Sequence, residues 1–224
     1  MATIDIQPAG VGLLPALEGA GLIAWHLAAT PFIGRERLHW GATPHEAAAP
    51  LPGDELVPEP KWTYTYAVDI AAAPEDVWPW IAQIGQGRGG FYSYQTLENV
   101  VGCNIHNHAE ILPEYQDVAL GDPIYLHPTA PPMAVAVLDP PHALVLYGSP
   151  ADTGDGSAAP AMSTWQFCLQ GTPDGFTRFF TRGRSDYGPG MANRVFFGRY
   201  PIEPITFVMS RKMMLEVKAL AEAA

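Results

Sequence analysis

Four glycines fall within six residues in the stretch Gly85-Gln86-Gly87-Arg88-Gly89-Gly90, directly after an apolar segment that ends in Ile84. Glycine adopts backbone angles and permits close approaches that a side chain forbids, so such a run is a tight joint between elements. Any fold this chain adopts must turn here. Phe91, Tyr92, Ser93 and Tyr94 follow at once, then Leu97, Glu98 and Asn99, which sets polar chemistry beside a hydrophobic element. The run is no phosphate cradle: no GxGxxG follows a strand, and no Lys-Ser/Thr pair closes a P-loop.

The joint has a strand and a helix before it. Trp62 to Ile70 alternates and is rich in Tyr, Thr and Val, which reads as the first strand. Ala73-Pro74-Glu75-Asp76 opens a helix with acids in its first turn, and Val77, Trp80, Ile81 and Ile84 line one face of it. A second short helix is expected over Tyr94 to Val101. Further strands are expected at 123–127, 134–139, 143–148, 164–170 and 177–184, separated by turn clusters such as Asp139-Pro140-Pro141 and Pro173-Asp174-Gly175. No helix-length crossover joins them, so the sheet should be antiparallel. Residues 152–161 read as a Gly, Ala and Pro loop. Pro204 to Ala223 forms a closing helix with Ile205, Met209, Met213, Val217 and Leu220 along one stripe.

Residues 1–60 read as an arm on a main domain of residues 61–224. Leu13 to Ala29 is expected to be helical, with Leu17, Ala20, Gly21, Ala24 and Ala28 at helical spacing. Thr43-Pro44-His45-Glu46 is a capping box. Pro50, Pro52, Pro58 and Pro60 then force an extended connection. Glu18, His26 and several Gly and Pro interrupt the apolar stretch 11–29, and no basic cluster precedes it, so neither an integral membrane segment nor a signal peptide is expected.

The joint and its flanks also carry a family resemblance. Val77-Trp78-Pro79-Trp80-Ile81, Gln83-Ile84-Gly85, Arg88-Gly89-Gly90-Phe91-Tyr92-Ser93-Tyr94 and Leu97-Glu98-Asn99 together resemble the bacterial SRPBCC proteins, the START-like, polyketide-cyclase-like group. Trp40-Gly41-Ala42-Thr43, Leu51-Pro52-Gly53-Asp54-Glu55, Ile111-Leu112-Pro113-Glu114 and Gly121-Asp122 support it. The resemblance implies an α+β helix-grip fold: a curved antiparallel sheet wrapped around a long C-terminal helix, with two short helices after the first strand. A sheet curved in that way encloses a cavity, where a small-molecule site belongs.

Composition excludes some partners. Twelve basic residues against 23 acidic ones give a net charge of -11, a field that repels nucleic acid. Two cysteines, Cys103 and Cys168, make neither a disulfide framework nor a metal knuckle, and are read as free thiols in a reducing cytoplasm.

The candidate chemistry gathers near the joint. Arg88 suits a bidentate clamp on a carboxylate or enolate, or a structural salt bridge to Glu98 or Glu110. Tyr92 and Tyr94 offer phenols to a ligand or pack at a cavity mouth, and Asn99 adds an amide. His106, His108 and Glu110 share a face if extended, but no further ligand converges, so solvated histidines are preferred to a metal site. One of the two remains a candidate general base. Arg178, Arg182 and Arg184 share one face of a strand. Inward they would floor a site for an acidic ligand, and outward they form a solvated stripe; the cost of burying unpaired charge favours outward. Trp165 and Phe167 alternate on the preceding strand, with Met209 and Met213 facing them.

Three functions stay open. The first is binding of a hydrophobic or aromatic small molecule, through Arg88, Tyr92, Tyr94, Asn99, Trp165, Phe167, Arg178, Met209 and Met213. The second is a cyclase- or dehydratase-like enzyme using Arg88, Tyr92, Glu98 and His106 or His108. The third is a partner-binding subunit docking through the apolar arm, a second copy of the chain being one such partner. No metal or cofactor is expected.

Overall fold

Strand β1 (Trp62–Ile70) stacks the rings of Tyr64 and Tyr66, 4.5 Å apart, on one face of a sheet and leaves Thr65 and Ala67 to the other. Around it the computed structural model describes residues 10–148 and 162–224, so the loop expected over 152–161 lies outside the described residues. β2 (Pro123–Ile124), β3 (Met133–Asp139), β4 (Ala143–Gly148), β5 (Met162–Gly171) and β6 (Thr177–Asp186) complete a six-stranded antiparallel sheet in the order β1-β6-β5-β4-β3-β2. The strand expected over 123–127 is reduced to two residues.

Helices α3 (Pro74–Ala82) and α4 (Gln95–Val100) lie between β1 and β2, on either side of the glycine joint. The joint closes on itself: Gly85 and Gly90 pair as an isolated bridge, and Gly85, Gly87 and Gly90 all have positive φ. A side chain at Gly90 would meet the Asn107 Oδ1 at 2.4 Å. After β6 come α5 (Met191–Phe196) and the long α6 (Arg199–Ala223), which begins before the expected Pro204 and is kinked at Tyr200. Phe207, Met213, Met214 and Val217 of α6 pack with Tyr66, Phe167 and Phe179 of the sheet to form the main core. The result is an α+β helix-grip arrangement.

The arm contains α1 (Leu13–Arg37) and α2 (Pro44–Ala48), the latter with the expected capping box at Thr43. Glu18, His26 and the glycines do not interrupt α1; it is one helix of 25 residues, long and apolar enough to cross a membrane by length and composition. The stripe Leu17, Ala20, Gly21, Ala24 and Ala28 faces out. The inward stripe is Ala16, Gly19, Ile23, Gly34 and Arg37, because α1 approaches α4 so closely that a Cβ at Gly19 would lie 2.7 Å from Leu97.

Residues 38–58 then cover the rest of the sheet. The Leu38 and Trp40 carbonyls accept from the Thr65 and Ala67 amides, at 2.8 and 3.0 Å, and so occupy the open edge of β1. Beyond Gly41 the chain crosses the outer face. Arg178, Arg182 and Arg184 do point outward, but they are not a solvated stripe. Arg182 is 3% exposed and donates to the Glu46, Ala47 and Ala49 carbonyls, the orphan acceptors at the end of α2. Its Nη1 lies 2.6 Å from Asp54. Arg178 pairs with Glu46 at 2.9 Å and Asp69 at 3.1 Å, and Arg184 with Asp54 at 3.5 Å. The arm, with Thr65 and Asp69 of β1, supplies the partners that the strand by itself lacks.

Candidate functional site

The inner faces of β1, β5 and β6 do not meet α6 along its whole length. Towards the α6 N-terminal half they part around a cavity of about 700 Å³. Its sheet side is built by Trp62 and Tyr64 of β1, Trp165 of β5 and Gly183 of β6. Gly183 pairs with Tyr64 on one side and Trp165 on the other. A Cβ there would stand 2.3 Å from the Tyr64 ring, so the missing side chain is what lets the tyrosine lie across the strand. Ile202, Ile205, Met209 and Met213 form the helix side. Phe91, Glu98, Cys103, Leu126 and His127 close the end nearest the glycine joint.

Glu98 is the group that stands out chemically. It is 8% exposed, its Oε1 accepts from the Ser93 hydroxyl at 2.6 Å, and its Oε2 has no hydrogen-bond partner. Burial pushes its carboxyl up to about 7, an effect the Ser93 bond only partly offsets. The Cys103 thiol is raised by burial and by the neighbouring Glu98. Burial also raises the Tyr64 phenol, against a hydrogen bond from Ser210. The Thr129 amide donates to His127 Nδ1 at 3.2 Å, which leaves Nε2 to donate to the Val101 carbonyl at 3.3 Å, the pattern of a neutral imidazole.

Of the residues singled out from sequence, Glu98, Trp165, Met209 and Met213 line this cavity. The others lie elsewhere, and each position has a physical reason. Arg88 forms no salt bridge to Glu98 or Glu110: its Nη2 donates to the Ala82 and Tyr115 carbonyls at 3.0 and 3.1 Å, and its guanidinium lies over the Tyr115 ring. It tethers the end of α3 to the 3-10 turn Pro113–Tyr115. Tyr92 is buried with its hydroxyl accepting from Gln83 Nε2 at 2.8 Å. Tyr94 turns away to pack under Gly19 of α1. Asn99 uses both amide atoms on Ile105, accepting from its N–H at 2.7 Å and donating to its carbonyl at 3.0 Å.

Phe167 sits deeper, fully buried behind Trp165. Arg178 is on the opposite face of the sheet, bound to the arm. His106 and His108 flank the buried Asn107, whose Oδ1 accepts from the Phe91 and Tyr92 amides, and they lie on the outside with Arg88 around a shallow pocket of about 250 Å³. Among the described residues no group of His, Cys, Asp or Glu is placed to hold a metal ion.

Sequence reasoning missed Trp62, Tyr64, Phe91, Cys103, His127 and Gly183. The first two were legible, since Trp62, Tyr64 and Tyr66 alternate along one strand. A lone glycine inside β6 was the other available signal, because an isolated strand glycine marks a close approach.

No family model matches the chain, and no curated protein is similar to it. Among solved structures it is similar to NE0264 of Nitrosomonas europaea at 12% identity and TM-score 0.44, covering 78% of this chain and 99% of that one. It is similar to MLL2253 of Mesorhizobium loti at 14% identity and TM-score 0.41, covering 73% and 98%. PFC0360w, an HSP90 activator of Plasmodium falciparum, is similar at 12% identity and TM-score 0.36, covering 61% and 80%. The topology described above defines the fold without them.

Proposed function

We propose that this chain is a START-like protein of the SRPBCC kind that binds a hydrophobic or aromatic small molecule between the sheet and α6. The observation that carries the reading is the cavity itself: about 700 Å³, walled by four aromatic side chains and three methionines, with Glu98, His127 and several serine and threonine residues set among them. That volume lies in the range of drug-sized ligand sites, which are mostly apolar with a small number of placed polar groups. The methionines suit an adaptable wall. Two free thiols accord with a cytoplasmic protein.

Native mass spectrometry of protein from its own host is the test. A stoichiometric apolar molecule is expected, and it should be lost from Met209→Trp, which fills the cavity from α6, while the thermal transition is kept. Wild-type protein that is empty in every preparation counts against binding.

A second reading has its own observation. Glu98 ionises near neutrality beside Ser93, as a general acid or base should. On that reading Glu98→Gln abolishes turnover of a cyclase- or dehydratase-type substrate but retains binding.

A further inference from the structure

The cavity wall is unbalanced in charge. Among its described residues Glu98 is the sole carboxylate, and no lysine or arginine joins it. The other titratable groups there are Cys103 after α4, His127 after β2 and Tyr64 of β1, and none supplies a positive charge in the hydrogen-bonding arrangement found. Ser93 satisfies one carboxylate oxygen and leaves the other buried without a hydrogen-bond partner.

A buried polar atom without a partner is costly, and native proteins keep few of them. An ionised carboxylate in such surroundings costs far more, unless a counter-charge arrives. Aromatic rings surround the same space, and rings attract organic cations through their faces. The net charge of -11 raises the local concentration of cations and lowers that of anions around the molecule.

We infer that the ligand is an apolar or aromatic molecule carrying a basic nitrogen, whose ammonium donates to Glu98 Oε2 while its body lies among Trp62, Tyr64, Phe91 and Trp165. This rests on the cavity-binding reading and adds the polar end of the ligand to it. The site selects by charge as well as by shape: a neutral alcohol of the same body can donate one hydrogen bond to Oε2 but brings no counter-charge, and a carboxylate analogue adds like charge.

Calorimetric titration with three probes of one body decides it: biphenyl-4-ylmethylamine, biphenyl-4-ylmethanol and biphenyl-4-carboxylate. At about pH 8 the amine should bind at least about tenfold more tightly than the alcohol, the value of a charge-assisted hydrogen bond, and the carboxylate most weakly. The amine's advantage should grow as pH rises from about 5.5 to about 8 and Glu98 ionises, while the alcohol's affinity shows no such rise. In Glu98→Gln the advantage should vanish with the alcohol's affinity retained. The pH series on the wild-type protein keeps the test independent of whether that variant folds.

Equal binding of amine and alcohol at pH 8 overturns the inference and leaves the cavity reading standing. So does an advantage that persists in a folded Glu98→Gln. Failure of all three probes, together with an empty native protein, overturns both.

Discussion

Arg37 and Glu203 join the arm to α6 through a buried pair, with Nε 2.7 Å from Oε1 and Nη2 2.5 Å from Oε2, both residues almost wholly excluded from solvent. Arg37 also donates to the His26 carbonyl and the Thr30 hydroxyl, so the guanidinium is nearly saturated. Removing one partner leaves the other charged and dry. Arg37→Ala should therefore destabilise by about 3–5 kcal/mol, whereas Arg37→Met with Glu203→Leu should recover most of that loss, as measured by urea unfolding.

Glu98 gives a second residue-scale expectation, with a defined sign. Its folded value is raised to about 7 from 4.5, so between those values the native state holds a proton that the unfolded state has released. Stability from this group is present below about pH 4.5 and is lost as pH rises towards 7. The full loss is on the order of 3 kcal/mol. Urea midpoints taken between about pH 4.5 and pH 7.5 should fall with pH in wild type relative to Glu98→Gln; parallel curves would refute it.

At the scale of elements, the arm is held to the sheet by polar contacts that an isolated sheet could not satisfy. Asp54 alone pairs with Arg182 and Arg184, accepts from the Gln166 side chain at 3.2 Å and from the Leu51 amide at 3.0 Å. Asp54→Ala strands a buried guanidinium and should cost about 2–4 kcal/mol, with earlier proteolytic cleavage within 38–58 than elsewhere in the chain. Across the sheet, β6 makes room for the cavity by omitting a side chain. Gly183→Ala drives a Cβ into Tyr64, which is stacked on Tyr66 and can withdraw only into the cavity it lines. It should cost about 1–3 kcal/mol and weaken ligand binding at the same time, which calorimetry on the folded variant would report.

For the whole molecule, the two sides of α1 have different fates. One side carries the close contact with α4 and the buried Arg37; the other leaves Leu14 80% and Phe32 88% exposed, with Leu13, Leu17 and Trp25 beside them. Exposed side chains contribute little to folding of a single copy. Leu14→Ser, Leu17→Ser and Phe32→Ser should each change monomer stability by less than about 0.5 kcal/mol. Unfolding at two protein concentrations, with mass measured by light scattering, checks this. A larger, concentration-dependent loss would mean that a second copy covers the face, the homodimer expected of a docking arm.

What the chain determines by itself is its local grammar. Period-2 alternation from Trp62, the capping box at Thr43, the turn residues at 139–141 and the apolar stripe from Ile205 each act within a few residues, so the antiparallel sheet and its closing helix were legible. The candidate site was legible only in part, at Glu98, Trp165, Met209 and Met213. The glycine joint looked like a site because it gathers Arg88, Tyr92, Tyr94, Asn99 and His106. Arg88 and Asn99 are consumed by backbone groups, Tyr92 by the Gln83 side chain and Tyr94 by packing under α1, while His106 stays outside; these neighbours meet only when the helices and residues 104–116 fold together. Which face of β6 its arginines take, and whether solvent reaches them, depended on an arm more than 120 residues away in sequence, whose Asp54 binds Arg182 at a separation of 128 residues. Periodicity identified α1 as a helix but not which side it packs on, because a helix can pack on its small residues and leave its large ones outside. The tertiary structure alone decided which carboxylate would be buried with one oxygen unpartnered and no counter-charge: desolvation belongs to the assembled surroundings of a group.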